Sequence, residues 1–158
     1  MKPRGLLALV LFLAASFLAA GIGGVATAKS VNTWYLTLQK PAWNPPSAVF
    51  APVWTILYAA MAIAAWRVWR RQENPEACRT RKWFAAQLVL NALWSVLFFG
   101  LRSPGAALID IVALWALLVA ILFRFAKVDR VATALWALYV AWVSFATALN
   151  ATIWWLNR

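Results

Sequence analysis

Residues 104–125 read PGAALIDIVALWALLVAILFRF, an almost uninterrupted apolar run with one acid, Asp110, and one base, Arg124, near its end. A helix that crosses a bilayer needs about 20 mostly apolar residues, and this stretch meets that requirement. Four other stretches share its character: 5–28, 47–69, 83–101 and 131–156. The sequence therefore predicts an all-α integral membrane protein, a five-transmembrane-helix bundle that forms one domain over residues 1–158.

The composition supports this prediction and excludes several kinds of site. Of 158 residues, 65% are hydrophobic and 12% are charged, whereas soluble domains have about 45–50% apolar and about 25% charged residues. There is no histidine, one cysteine and four acids. This excludes Ser-His-Asp and Cys-His catalysis and histidine-bound haem, and leaves too few zinc ligands. We expect no metal site and no required cofactor.

The basic residues predict the orientation. The net charge of +11 would suggest a nucleic-acid partner in a soluble protein, but here the bases flank apolar runs, so we expect none. By the positive-inside rule, the cytoplasmic ends are the ones next to Lys2, Arg4, Arg67, Arg70, Arg71, Arg79, Arg81, Lys82, Arg124, Lys127 and Arg130. The other ends carry Lys29, Lys40, Arg102 and Arg158. The amino terminus is then cytoplasmic, and apolar helices rather than alternating strands favour a bacterial inner membrane.

Residues 1–28 have an alternative interpretation. Lys2 and Arg4 before an apolar core, with Ala26-Thr27-Ala28 behind it, resemble a cleavable signal peptide. The apolar stretch exceeds the usual 7–15 residues of such a core, which favours a retained first span. The intact mass of the purified protein decides between the two.

Three predicted helices carry distinctive faces. Residues three, four, seven or eight positions apart share a helix face, which groups three sets: Phe50, Trp54 and Tyr58; Gln87, Asn91 and Ser95 beside Trp94 and Phe98; and Tyr139, Trp142, Ala146, Leu149 and Asn150. Unpaired amides in hydrocarbon cost several kcal/mol, so the polar set must face the bundle interior. Periodicity leaves open whether it only joins helices or borders an aromatic ligand cavity.

The remaining intramembrane candidates have plainer interpretations. Asp110 is a candidate functional acid, but one isolated acid makes no proton relay, so we favour a structural role. Trp115 suggests only packing or lipid contact. Tryptophans at span ends are typical of the membrane interface, and this describes Trp66, Trp69, Trp83, Trp154 and Trp155.

The connection between the first two spans, residues 29–46, contains WYLTLQKPAWNPP at 34–46. Its three prolines stiffen the backbone, and its aromatic residues make it too apolar for a solvated loop. We expect it to fold back as a lid over the outer mouth of the bundle.

These residues resemble the TspO/MBR family, the bacterial tryptophan-rich sensory proteins and the mitochondrial translocator protein (peripheral benzodiazepine receptor). The resemblance runs from about Trp34 to the end. It rests on Trp34-Tyr35, Lys40-Pro41, Trp43-Asn44-Pro45-Pro46, Phe50, Pro52-Val53-Trp54-Thr55, Tyr58, Gln87-Leu88, Leu90-Asn91, Trp94-Ser95, Phe98-Phe99-Gly100, Tyr139, Trp142, Phe145-Ala146 and Leu149-Asn150.

The resemblance implies a homodimer whose helix bundle holds a ligand cavity under the lid. The implied ligands are porphyrins such as protoporphyrin IX and related lipophilic molecules, in tetrapyrrole sensing, transport or disposal and in stress regulation. The ligand-binding residues would be Tyr35, Trp43, Phe50, Trp54, Tyr58, Asn91, Trp94, Phe98, Tyr139, Trp142, Ala146 and Leu149. The propionates would lie near Lys40 or Lys29 at the mouth.

Two alternatives remain open beside binding. One is an enzyme that degrades porphyrin in light and oxygen with Trp54 and Trp142 as catalytic residues. The other is a transporter of a lipophilic substrate such as a sterol or isoprenoid, although no paired repeat is visible. Cholesterol binding is disfavoured because no tyrosine follows Asn150 before Arg158. A small-residue ridge of Ala20, Gly24 and Ala28 would allow close helix approach in a dimer or within the bundle.

Overall fold

A computed structural model describes residues 3–71 and 73–158, without the side chains of Pro3 and Glu76. Lys2, which the orientation argument includes, lies outside the described residues. The described chain is helical: α1 Pro3–Ala28, α2 Trp34–Thr37, α3 Ser47–Trp69, α4 Pro75–Ser95, α5 Pro104–Ala126 and α6 Arg130–Leu156. A π-helical turn, Val96–Gly100, continues α4.

Five of these helices are long and apolar enough to cross a membrane, which confirms the predicted all-α membrane architecture. One helix extends beyond its predicted span. The third long helix begins at Pro75 rather than at residue 83, because the polar stretch before Trp83 continues the helix beyond the apolar run. Hydropathy identifies the apolar residues that lie within the membrane, whereas a helix can also extend through polar residues that have sufficient helix propensity.

The five long helices form a closed ring of neighbours. In the order α1, α3, α6, α5 and α4, each helix packs on the next, and α4 returns to α1. Helices α3 and α4 also touch across the interior. Buried alanines on α3, Ala60, Ala62, Ala64 and Ala65, have side chains short enough to let the neighbouring helices approach closely.

Trp136 is the largest fully buried side chain of the core. Its indole N–H donates to the carbonyl of Leu118, 3.1 Å away, and its ring packs on Phe125 at 5.0 Å between centroids. A buried indole needs such a polar partner. This contact fixes α6 against α5 away from the lid.

The end of the bundle opposite the lid holds an ion pair between α3 and α6. Asp129 caps α6 by accepting from the N–H of Ala132 at 2.8 Å, and its two oxygens each accept from the Arg67 guanidinium at 3.0 Å. Burial by itself raises the pKa of Asp129, but the hydrogen bonds from Arg67 and Ala132 and the nearby guanidinium groups of Arg67 and Arg71 outweigh it, so the pKa lies below its usual value.

Two tryptophan interpretations need correction. Trp66 is 8% exposed and donates to the carbonyl of Gly5 at 2.7 Å, so it joins α3 to α1 rather than facing lipid. Trp115 has a polar partner, Ser144, whose hydroxyl oxygen accepts its indole N–H at 2.7 Å. By contrast, Trp155 at the end of α6 is 60% exposed, as expected for an interface residue.

Asp110 lies on α5 and is 7% exposed. Its Oδ2 atom has no hydrogen-bond partner among the described residues. Asp110 does not line the cavity described below, which is consistent with the structural role favoured from the sequence.

The lid begins at a contact with the π-helical turn. The wide turn is closed by a bond from the N–H of Leu101 to the carbonyl of Val96, and the carbonyl of Phe99 accepts from the Ser30 hydroxyl at 2.7 Å. Single π turns inside helices frequently occur at functional sites. Here the turn connects the start of residues 29–46 to the end of α4.

Candidate ligand cavity

A cavity of about 470 Å³ lies on the lid side of the bundle, between α1, α3, α4 with its π turn, and α6. Tyr35 of α2 and Val31 also contribute to its wall. Small-molecule sites have volumes of roughly 300–1,000 Å³ and mostly apolar walls with few polar groups. The size and lining of this cavity are typical of such a site.

Trp54 of α3 is the centre of the aromatic wall. Its ring centroid lies 5.7 Å from that of Tyr58, 6.4 Å from that of Trp94 and 6.5 Å from that of Trp142. The Trp142 ring is nearly perpendicular to it, at 88°. Ring pairs at 4.5–7 Å in offset or edge-to-face arrangements attract each other. The wall is therefore built from mutually supporting rings on three helices.

Trp94 is held in its orientation by a polar contact. Its indole N–H donates to the Asn150 side-chain oxygen at 2.9 Å, and the amide nitrogen of Asn150 donates to the carbonyl of Pro104 at 2.8 Å. Asn150 thus links α4, α5 and α6 beside the cavity. Because both ends of its amide are occupied by protein atoms, Asn150 acts as a support for the aromatic wall.

A hydrogen-bonded chain lies beneath this wall. The Tyr58 hydroxyl donates to the oxygen of Asn91, the amide nitrogen of Asn91 donates to the Tyr139 hydroxyl at 2.7 Å, and that hydroxyl donates to the oxygen of Gln87 at 3.0 Å. All four residues are buried. The polar set of α4 (Gln87, Asn91 and Ser95) therefore has both roles. It joins α4 to α3 and α6, and it borders the cavity, because Asn91 and Ser95 line it.

Trp142 presents an unpaired donor. Its indole nitrogen is buried and has no hydrogen-bond partner within the described part of the chain, although the residue lines the cavity. A buried donor without an acceptor is costly. Because solvent does not reach this nitrogen, it is an unsatisfied donor inside the wall rather than a contact point on the cavity surface.

The lid is held by a bond within itself and by a pair of bonds from its middle to the end of α6. The Tyr35 hydroxyl donates to the Asn44 oxygen at 2.8 Å, and burial raises the pKa of Tyr35. Further along, the N–H of Gln39 donates to the Asn157 oxygen, and the amide of Asn157 donates back to the carbonyl of Gln39, both at 2.9 Å. The second pair ties the lid to the end of α6.

The side of the cavity between α1 and α3 is the least covered. Phe17 is 44% exposed, and Gly24 and Ala28 on α1 are exposed, as are Ala51 and Thr55 on α3; all five line the cavity. The two helices are joined farther from the lid, where the Trp66 indole donates to the carbonyl of Gly5. The cavity therefore opens sideways, within the membrane-spanning part of the molecule.

Comparison with known proteins identifies this architecture. A model of the TspO/MBR family matches residues 9–156. The chain belongs to the TspO/MBR family. It is 45% identical over 145 residues to Tryptophan-rich protein TspO of Chlorobaculum tepidum, which covers 89% of this chain and 90% of the relative. It is 38% identical over 138 residues to the Tryptophan-rich sensory protein of Cereibacter sphaeroides, with 85% of each chain covered. It is 36% identical over 143 residues to the Translocator protein of Sus scrofa, covering 87% and 85%.

The structure of this TspO/MBR protein brings most of the predicted ligand-binding residues to one cavity. Ten of them line it: Tyr35, Phe50, Trp54, Tyr58, Asn91, Trp94, Phe98, Trp142, Ala146 and Leu149. They come from the lid and from three helices, as the predicted faces require. Ligand binding by these residues stays a prediction.

Four predicted residues lie elsewhere. Trp43 is 49% exposed and packs on Phe145 at 5.7 Å between centroids. Tyr139 is fully buried behind the wall. The ammonium group of Lys40 donates to the carbonyls of Tyr35 and Leu38 at 2.7 and 2.9 Å, and Lys29 is exposed. None of the four lines the cavity, so both lysines lie outside it.

Sequence reasoning missed the contribution of α1 to the wall. The small residues Ala20, Gly24 and Ala28, interpreted as a packing or dimer ridge, line the cavity together with Phe17, Gly23 and Thr27. The signal was visible, because a stripe of small residues leaves space beside a helix as readily as it admits a neighbour. Other missed residues are Val31, Ser47, Ala51, Thr55, Phe99 and Ile153, whereas Ser95 and Asn150 were placed on the predicted faces but not among the ligand-binding residues.

Proposed function

We propose that this protein binds a flat, aromatic, lipophilic molecule of the porphyrin class, such as protoporphyrin IX, in the cavity under its lid. Binding would serve tetrapyrrole sensing, movement or disposal and stress regulation. The observation that carries the proposal is the set of three indole rings, Trp54, Trp94 and Trp142, grouped in the wall of a cavity of about 470 Å³.

The polar groups of the wall support an apolar ligand. The side chains of Asn91, Tyr58 and Asn150 are already paired with protein atoms, so a ligand need not satisfy them. Recognition would rest on stacking against the indole rings. The absence of histidine from the sequence favours a metal-free porphyrin over haem.

A cavity-filling substitution tests this proposal. Ala146 lines the cavity, and Ala146→Phe would occupy space that the ligand needs. The matched control is Ala148→Phe, an exposed position on the same helix. Protoporphyrin IX is titrated into purified protein in detergent and followed by absorbance. We expect Ala146→Phe to weaken binding about tenfold or more, which corresponds to roughly 1.4 kcal/mol, and Ala148→Phe to bind like the wild type.

Equal affinity in the wild type and Ala146→Phe would refute the cavity as the porphyrin site. A folded wild type that shows no saturable binding would refute the porphyrin class itself. Helical circular dichroism of each variant confirms that the comparison is between folded proteins.

A second candidate function is light-dependent porphyrin degradation. The contact between Trp54 and Trp142 favours it, because two oxidisable indoles would lie together beside a bound pigment, with dioxygen as the oxidant. Illuminated and dark samples of bound protoporphyrin IX separate the two functions. A light-dependent product lost in Trp54→Phe and Trp142→Phe would support degradation. A product that forms equally in these variants would exclude these two residues as the catalytic ones. The transport alternative is tested by flux of the pigment into vesicles.

The setting in the membrane belongs to the same proposal. We place the protein in a bacterial inner membrane as a homodimer, with its amino terminus in the cytoplasm. Support for the orientation comes from the bases around the Arg67–Asp129 pair, at the end of the bundle opposite the lid. Accessibility of Cys78, which is exposed in α4 at that end, to a membrane-impermeant thiol reagent in intact cells tests it, and labelling there would contradict it.

A further inference from the structure

A second recess lies at the end of the bundle opposite the lid, where α3 ends and α6 begins. It has a volume of about 160 Å³ and is lined by Arg67, Arg70, Arg71 and Asp129. Three guanidinium groups face one carboxylate, so the wall carries a net charge of about two positive units. The proposed ligand cavity does not share any of these residues.

The carboxylate in this recess is already fully engaged. Asp129 is 5% exposed in its side chain and accepts two bonds from Arg67 at 3.0 Å and one from the N–H of Ala132 at 2.8 Å. Arg71 approaches it only to 3.6 Å. The acid therefore neutralises Arg67, and among the residues that the structure describes it leaves most donors of the other two arginines available.

Arg70 and Arg71 are placed to use those donors. The Arg70 guanidinium lies 4.7 Å from the centroid of the Trp66 ring, a contact that restricts its orientation. The side chain of Arg71 is 54% exposed, so a ligand reaches it from solvent or from the membrane surface. The planar fork of a guanidinium matches a phosphate group by two parallel hydrogen bonds.

We propose that this recess binds a phosphate-bearing anion, with Arg70 and Arg71 as binding residues and the Arg67–Asp129 pair as the positioning element. Phosphate at this position has two sources, the headgroup of an anionic phospholipid and a free phosphate ester. Basic pockets between transmembrane helices on the cytoplasmic side are suited to anionic headgroups. The recess is independent of the proposed porphyrin site.

The test compares two pairs of charge-removing substitutions. Arg70→Gln with Arg71→Gln removes two charges from the recess, and Arg79→Gln with Arg81→Gln removes two exposed charges from α4 at the same end. Native mass spectrometry measures phosphatidylglycerol retained by each protein from mixed micelles. We expect Arg70→Gln with Arg71→Gln to weaken binding of phosphatidylglycerol about fivefold for each arginine removed. The control pair, Arg79→Gln with Arg81→Gln, should change this binding by less than about twofold. Equal losses in the two variants would overturn the proposal in favour of diffuse attraction.

Two further arms identify the source and the geometry. Glycerol 3-phosphate, titrated into protein in neutral-lipid nanodiscs, binds saturably if the recess takes a free phosphate ester; retention of phosphatidylglycerol alone assigns the site to a lipid headgroup. A wild type that binds neither overturns the proposal. The Arg70→Lys, Arg71→Lys variant keeps the charge and loses the planar fork. We expect it to bind more weakly than the wild type, and unchanged binding would refute bidentate recognition.

Discussion

Tyr139→Phe removes one oxygen atom from the hydrogen-bonded chain beneath the cavity. That oxygen accepts from the Asn91 amide at 2.7 Å and donates to the Gln87 oxygen at 3.0 Å. Gln87 is 0% exposed and does not line the cavity, so its oxygen gains no water in exchange. Inter-helical hydrogen bonds in membrane proteins contribute about 0.6 kcal/mol each, and the two lost bonds sum to about 1.2 kcal/mol. Orphaned buried groups add to this, and we expect a loss of about 1–2 kcal/mol.

The assay is reversible unfolding in mixed micelles with increasing denaturing detergent, followed by circular dichroism. The matched control is Thr152→Val, which removes a hydroxyl that bonds only the carbonyl of Ala148 in its own helix and should change the free energy of unfolding by less than about 0.5 kcal/mol. If Tyr139→Phe is no less stable than this control, the chain does not hold the helices together. Its porphyrin affinity should change little, because Tyr139 does not line the cavity.

Three other substitutions probe other parts of the molecule. Asp129→Asn keeps a good helix cap but loses the charge paired with Arg67, at a cost of about 1 kcal/mol. Because the folded-state pKa of Asp129 is lowered, its ionised carboxylate stabilises the folded protein above the unfolded-state pKa, and this stabilisation is lost as the pH falls below about 4. The free energy of unfolding, measured at several pH values, checks that the difference between the wild type and Asp129→Asn disappears there. Gly23→Ala would place a methyl group 2.9 Å from the Ser95 hydroxyl. We expect this clash to lower the free energy of unfolding by about 1–3 kcal/mol and with it the midpoint of thermal unfolding. The midpoint should recover in the double variant that also carries Ser95→Gly, and no recovery would contradict the clash. Asn157→Ala removes both bonds between the lid and α6 and should speed hydrogen exchange in residues 34–46, while unchanged exchange would show that the lid is held by other contacts.

Helix faces could be predicted from this sequence because they depend on local spacing. Phe50, Trp54 and Tyr58 lie together on any helix, and an unpaired amide such as Asn91 has nowhere to go in lipid except inward. These two rules bring the aromatic part of the cavity wall together without any knowledge of how the helices are arranged.

Local spacing does not predict which residues of a helix face line the cavity and which are buried behind its wall. Tyr139 and Trp142 are three positions apart on α6, yet one is fully buried behind the wall and the other lines the cavity. The difference depends on where α4 packs, which is a property of the whole bundle. The same limit applies to Lys40 and Trp43. They lie in a part of the lid without helical periodicity, so their spacing does not predict whether their side chains face the cavity. Trp66 was interpreted as an interface residue because it lies at the end of a span. Its bond to Gly5 could not be predicted from local spacing, because the two residues are distant in sequence.

The sideways opening of the cavity changes what an affinity means for this protein. A ligand that reaches Trp54 past Gly24 and Ala51 comes from the hydrocarbon, where a lipophilic molecule is concentrated by partitioning. The controlling variable is then its mole fraction in the lipid or detergent phase. A Kd expressed per volume of buffer should rise in proportion to added detergent, while the same data expressed per mole of detergent should fall on one curve. Affinities of variants are therefore comparable only at a matched ratio of protein to amphiphile.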